Sequence, residues 1–311
     1  MAVTITQASD SISRVEEVFL EAVLQAASFD AGFGIKQIQG TRDKFSMWEM
    51  TTGTDIVQAY AAAPSEAGTA AISDTEFTID KKSINLPLPY DLFKNTEWKD
   101  AVANIHAMGI PEELKVAMVS NISEKALKVV ESELWSSNAG ATGDPTATIN
   151  GFCKLINDKL TAASLTGQIL SGANSLVDPT TIQARFNAMV DVIPTALLNE
   201  QQDVFFHVSP ATAWAYRRSL QTQNMAVLSS EPTNFGGFGI KVVPNLNSRW
   251  AVLGKTSNLG IGLPSAPNDI ISLDVIDQRD NLKNQANIFG NFGYGAGAVT
   301  TDWVTYEDTS A

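Results

Sequence analysis

The spacing of apolar residues changes period along this chain, and each change marks a new element. Ser13-Arg14-Val15-Glu16 has the form of a capping box, after which Val15, Val18, Phe19, Ala22, Val23 and Ala26 recur at helical spacing. An amphipathic helix is predicted there, preceded over residues 1–10 by a small, polar stretch that reads as an arm unless another chain pins it. Between 41 and 90 the helical period gives way to alternation, in KFSMWEM, DIVQAY, TEFTID and SINLPLPY around the small-residue tip AAAPSEAGTAA. Alternation of this kind predicts one long β-hairpin. On its return strand Phe77 and Ile79 share one parity and Ile84, Leu86 and Leu88 the other, so a bulge or twist is expected near Lys81-Lys82-Ser83.

A two-stranded ribbon alone is marginal in water, because each strand has one neighbour and little core. It needs a surface to lie on, and its length favours a neighbouring subunit, with Ile56, Tyr60, Phe77 and Ile79 as the apolar contacts and Lys81 and Lys82 in the same interface. Helical spacing then returns. TEWKDAVANIHAM puts Trp98, Ala101, Val102 and Ile105 on one face, with His106 beside it and Gly109 as the terminal left-handed residue. Pro111 suits the first turn of a second helix whose stripe is Leu114, Met118, Ile122, Ala126, Val130 and Leu134. Running to about Ser136, this helix is a spine of roughly 40 Å.

The small-residue loop over 139–151 marks a domain boundary. Beyond it, Asp178-Pro179 opens a helix carrying Ile182, Phe186, Met189 and Ile193, which Pro194 ends or kinks. Asp203 to Val208 reads as a buried strand, and Ser209-Pro210 caps and opens a helix through Trp214 and Leu220. Strands follow at FGIKVVP, WAVLG and ISLDVID, with NLGIGLPS as a Gly-rich connection, before the closing run NIFGNFGYGAGAVTTDWVTY.

Composition removes several function classes. No apolar stretch approaches the roughly 20 residues that span a bilayer, and the N-terminus has neither a basic region before Arg14 nor an apolar core, so neither a membrane protein nor an export signal is expected. A net charge of −13 opposes broad contact with phosphate backbones. Cys153, His106 and His207 are too few for a thiolate metal centre, and no metal or cofactor is expected.

Site chemistry is equally thin. Ser209 stands at a strand-to-helix corner, but a nucleophile elbow needs glycines where His207 and Ala211 stand. GGFGIKVV, from Gly236, lacks the preceding strand and following helix of a dinucleotide loop. Asp277 and Asp280 could flank a sugar or hold a divalent cation, but they read more simply as a solvated loop face. His207, among Val204, Phe205, Phe206 and Val208 with no acid or nucleophile in the segment, reads as a structural residue.

The order of parts resembles the major capsid proteins of tailed phages, with the Hong Kong 97-type fold. TTGTDIVQAY to TEFTIDKKSINL is similar to that family's extended loop, PEELKVAMVSNISEKALKVVESELW to its spine helix, and DVFFHVSPATAWAYRRSL with GIKVVPNL and AVLGKTSNLGIGLPS to its axial domain. The resemblance implies an α+β chain divided into an N-terminal arm and helix (1–40), an extended β-hairpin loop (41–90), a peripheral domain with the spine (91–138), an axial α/β domain (139–290) and a closing strand returning to the peripheral domain (291–311). It also implies a non-enzymatic shell subunit, forming hexamers and pentamers that make an icosahedral head in the host cytoplasm and enclose DNA without tight binding.

A chain that begins almost directly with its arm implies a separate scaffolding protein or a cleaved product, beside a portal and a decoration protein. Some family members cross-link through a lysine of the extended loop. Lys81 and Lys82 lie in the matching hairpin, but no partner asparagine or assisting glutamate matches by position, and a charged, strand-blunting edge accounts for both. The alternatives are a cargo compartment of the encapsulin type and a cytoplasmic hydrolase using the acidic residues of the second region.

Overall fold

The computed structural model describes residues 33–40, 43–52, 70–89, 112–139, 148–172, 176–199, 203–222, 234–264, 271–277 and 285–309. The arm and its helix, Ile56, Tyr60, the helix carrying His106, and Asp280 lie outside the described residues. The stripe after Pro111 forms helix α1, Glu112–Ser136, which buries Met118, Val130, Leu134 and Trp135. Helix α2, Phe152–Ala162, follows and buries Phe152, Cys153, Ile156 and Leu160. Helix α3, Ile182–Asp191, starts where Asp178 folds back, its Oδ1 accepting from the backbone N–H and the hydroxyl of Thr180. After the single turn α4, Thr195–Leu198, helix α5 runs over Pro210–Thr222, capped by Ser209 Oγ, which accepts from Thr212 N–H at 3.1 Å.

Two sheets carry these helices. The five-stranded sheet runs β1 (Lys36–Gln39), β10 (Leu259–Leu263), β12 (Gln285–Ala298) and β11 (Ile271–Asp277), with β4 (Asp80–Pro89) also paired to β12. The six-stranded sheet has the order β5 (Ile169–Gly172), β13 (Trp303–Asp308), β9 (Trp250–Lys255), β6 (Val204–Val208), β8 (Phe238–Val242), β7 (Asn234–Phe235). A two-stranded ribbon, β2 (Lys44–Thr52) with β3 (Ala70–Thr78), completes the described strands.

Alternation along β6 separates two cores. Val204, Phe206 and Val208 face α3 and α5, where Phe186 stacks on Phe206 at 4.8 Å and Tyr216 joins them. On the other side of the six-stranded sheet, Val252 and Trp303 meet Trp135 of α1, Phe152 and Ile156 of α2, and Ile261, Ile288 and Ala296 of the five-stranded sheet. The second core therefore joins both sheets through the two helices.

Two expectations are corrected by the strand pairing. The chain from 41 to 90 is not one hairpin: the ribbon closes at Ile79, whose N–H donates to Asp43 O at 2.9 Å, and the next ten residues leave it to pair with β12 from Asp80↔Tyr294 to Pro89↔Gln285. The parity change between Phe77/Ile79 and Ile84/Leu88 is thus a change of sheet, at Ile79 and not at Lys81-Lys82-Ser83. Pro87 and Pro89 fit this placement, because β4 has a described partner on one side alone and proline belongs on an edge strand. The closing run is likewise two strands. β12 lies in the five-stranded sheet, while β13 lies in the other one, between β5 and β9.

Candidate functional site

Gly260 and Gly262 of β10 stand opposite Gly297 and Gly295 of β12. All four glycines lie on the face of the five-stranded sheet turned away from Leu259, Ile261, Tyr294 and Ala296, so this patch of sheet is bare backbone. The ribbon lies on it. A Cβ on Gly262 would come 2.1 Å from Phe45 Cδ1, one on Gly260 2.5 Å from Met47 Sδ, and one on Gly295 2.2 Å from the carbonyl oxygen of Thr78. Phe45 and Met47 are almost wholly buried there with Ile79 and Val299, and Phe45 stacks on Phe77 at 5.4 Å.

Among the described residues, no such floor lies against the opposite face of the ribbon. Cross-strand register puts Trp48 beside Asp74 and Met50 beside Ile72, with Trp48 69%, Met50 52% and Ile72 72% exposed. Alternation thus splits the ribbon into an inner face satisfied by its own subunit and an outer face with a cluster of large apolar side chains in solvent. Nearer the root, Lys44 and Glu76 make an exposed ion pair at 3.0 Å.

The residues singled out from the sequence fall differently from expectation. Phe77 and Ile79, expected on a neighbour, pack inside the subunit at the ribbon root. Trp48, Met50 and Ile72 hold the exposed positions instead. Lys81 is exposed on β4. Lys82 is not a blunted edge: its Nζ lies 2.9 Å from Glu133 Oε2 of α1, the two side chains 13% and 8% exposed. Tyr294 Oη donates to the same oxygen, and burial, followed by the Glu133 charge, pushes the Tyr294 hydroxyl well above its ordinary range.

His207 sits in the wall between the cores. Its ring lies 5.3 Å from that of Trp135, and its Nε2 is 3.0 Å from Thr256 Oγ1. Burial, followed by the positive charge of Lys241, pulls its pKa down to about 3, so the imidazole is neutral at ordinary pH. Lys241 Nζ donates to Thr256 Oγ1 and to Phe33 O and rests 4.0 Å above the Phe205 ring. Ser209 spends its oxygen on capping, hydrogen-bonded to Thr212 Oγ1 as well as to its N–H, and burial pushes the Cys153 thiol far up. Among the described residues no helix is long and apolar enough to cross a membrane, and no group of three His, Cys, Asp or Glu residues could hold a metal ion.

No family model matches the chain and no curated protein is detectably similar in sequence. Solved structures are similar over nearly its whole length. A chain from the satellite phage P4 procapsid that includes the size determination (Sid) protein matches at a TM-score of 0.56 with 11% identity, covering 94% of this chain and 98% of that one. The capsid of a native GTA particle matches at 0.52 with 13% identity, covering 99% and 94%. A chain from Microbacterium phage Oxtober96 matches at 0.51 with 11% identity, again covering 99% and 94%. At these identities the likeness is one of fold, and the chain has the α+β, Hong Kong 97-type fold that its order of parts resembles.

Proposed function

We propose that the chain is a major capsid subunit that associates with copies of itself, as hexamers and pentamers, into the icosahedral head of a tailed phage. The observation that carries this reading is the two-faced ribbon, anchored by Phe45 and Met47 on its own glycine floor while Trp48, Met50 and Ile72 are left exposed on the other side. Fully burying such side chains gains roughly 1.5–3 kcal/mol each. A ring repeats that gain at every contact, because heterologous contacts close head to tail and each copy both gives and receives a ribbon. The fold shared with the procapsid chain of satellite phage P4 and the GTA capsid supports the same assignment. The role is structural and not catalytic. A separate scaffolding protein, a portal and a decoration protein are further partners in this reading, and assembly takes place in the host cytoplasm.

The net charge of −13 adds that the wall confines DNA without adhering to it. A tight, salt-sensitive affinity of the purified subunit for duplex DNA would contradict that part. Assembly is tested with Trp48→Asp/Ile72→Asp. The wild-type chain is expected to form closed particles by electron microscopy, and the variant to stay soluble, folded by circular dichroism, and unassembled. Particles of normal size from the variant would refute the role given to the ribbon. DNA in particles produced during infection separates a phage head from a cargo compartment of the same fold.

A further inference from the structure

Thr300 has a φ of 65°, a left-handed conformation that a β-branched residue adopts only where its surroundings overdetermine it. It stands in the link between β12 and β13, where the chain passes from the five-stranded to the six-stranded sheet. A second passage between the same sheets, from β9 to β10, runs beside it and contains Asn258. The two links are tied together: Asn258 Nδ2 donates to Thr300 Oγ1 at 3.0 Å, and Val299 N–H donates to Asn258 O at 3.0 Å. Glu49 supplies another tie from the ribbon. It is the next inward position on β2 after Phe45 and Met47, its Oε2 accepts from Thr300 N–H at 3.2 Å, and Lys159 Nζ of α2 lies 4.0 Å from the same oxygen.

We infer that Glu49 is a latch through which the position of the ribbon sets the angle between the two sheets. The inference rests on the shell reading for its purpose, since a neighbour gripping Trp48, Met50 and Ile72 is what would hold the ribbon in place. Three features give it a physical basis. The corner stores strain, so losing the Glu49 contact favours a relaxed backbone at Thr300. The ribbon is a separate two-stranded sheet with no ladder pairing to the five-stranded sheet, so side-chain packing and the Glu49 tie seat it on its floor. Open cavities flank the ribbon root, one of about 440 Å³ bordered by Phe77, Leu155 and Ala296, the other of about 340 Å³ bordered by Ile38, Gly40 and Ser46, which give it room to rock. The coupling is thus between a partner surface and the strained corner at Thr300 where the chain passes from one sheet to the other.

The test uses the unassembled full chain and two readouts. The first is hydrogen exchange at the Thr300 amide: Glu49→Ala is expected to speed it at least tenfold while amides of β6 are unchanged, and Glu49→Gln, which keeps an acceptor oxygen, to speed it less. The second is the distance between spin labels on cysteines replacing Ser83 of β4 and Ala211 of α5, both exposed, with Cys153 buried and unlabelled. Glu49→Ala, and separately Thr300→Gly with Glu49 intact, are expected to broaden or shift that distance distribution relative to wild type. Unchanged exchange, or faster exchange with an unchanged distance distribution in both variants, overturns the latch. Particle formation is scored separately by electron microscopy: particles with an unchanged distance distribution sink the latch and leave the shell standing, and a shifted distribution without particles from wild type does the reverse.

Discussion

Gly262→Ala adds one methyl group to a floor that already carries a ring. The new Cβ would meet Phe45 at 2.1 Å from Cδ1, 2.5 Å from Cε1 and 2.6 Å from Cγ, distances that real carbon contacts do not reach. The ring cannot swing aside freely, because it is buried among Met47, Ile79 and Val299 and stacked on Phe77. Overpacking of this kind costs about 1–3 kcal/mol, offset by the roughly 0.5–1 kcal/mol that alanine gains over glycine in a strand. A net loss of about 1–2 kcal/mol is therefore expected, read as a lower urea midpoint in the unassembled chain. Gly167→Ala is the control, since nothing lies within 4 Å of its Cβ position, and it is expected to stay within about 0.5 kcal/mol of wild type. In a Phe45→Ala background the clash has no partner, so Gly262→Ala should become neutral or stabilising, a coupling of at least about 1 kcal/mol. Wild-type stability for Gly262→Ala, or a cost that persists without the Phe45 ring, would refute the close packing of ribbon on floor.

Other parts of the structure make separate predictions. Gly254→Ala places a Cβ 2.1 Å from Trp303 Cε3, so it should lower stability by about 1–3 kcal/mol and perturb tryptophan fluorescence. Lys82→Met removes the cation beside the buried Glu133 carboxylate and should cost about 3–5 kcal/mol by chemical denaturation, whereas adding Glu133→Leu together with Tyr294→Phe, which also removes the hydroxyl that donates to Glu133, should recover most of it. His207 binds a proton less readily folded than unfolded, so its contribution is intact above pH 6.5 and falls as pH drops toward 3. Between pH 7 and pH 5 this group alone should remove about 2 kcal/mol, and His207→Gln should abolish that part of the pH slope; an unchanged slope would show that His207 is not held neutral.

Local patterns were legible where a residue's partners lie on its own element. The stripe from Met118 to Leu134, the Ser209 cap and the alternating burial of β6 all follow from spacing alone. Helix α2 has no counterpart among the predicted elements although Phe152, Cys153, Ile156 and Leu160 carry a helical period, because it directly follows the 139–151 loop and the next predicted helix opens only at Asp178-Pro179. The parity change after Ile79 was visible, but whether it meant a bulge or a change of sheet depends on β12, some two hundred residues further along. The glycine alternation in LGIGL and GYGAGA was visible as well, yet a bare strand face does not say what covers it. For that reason Phe77 and Ile79, and not Trp48, were expected to face a neighbour. The Lys82–Glu133 pair and the Thr300 corner had no local signal, since one joins distant elements and the other uses a residue type that turns do not favour.

The central claim is that the outer face of the ribbon is completed by another copy of the chain. Electron cryomicroscopy of the concentrated wild-type protein tests it most directly. Closed shells in which a neighbouring subunit covers Trp48, Met50 and Ile72 of each copy are the predicted result. Dispersed monomers at every concentration, or shells that leave those three side chains in solvent, would contradict it.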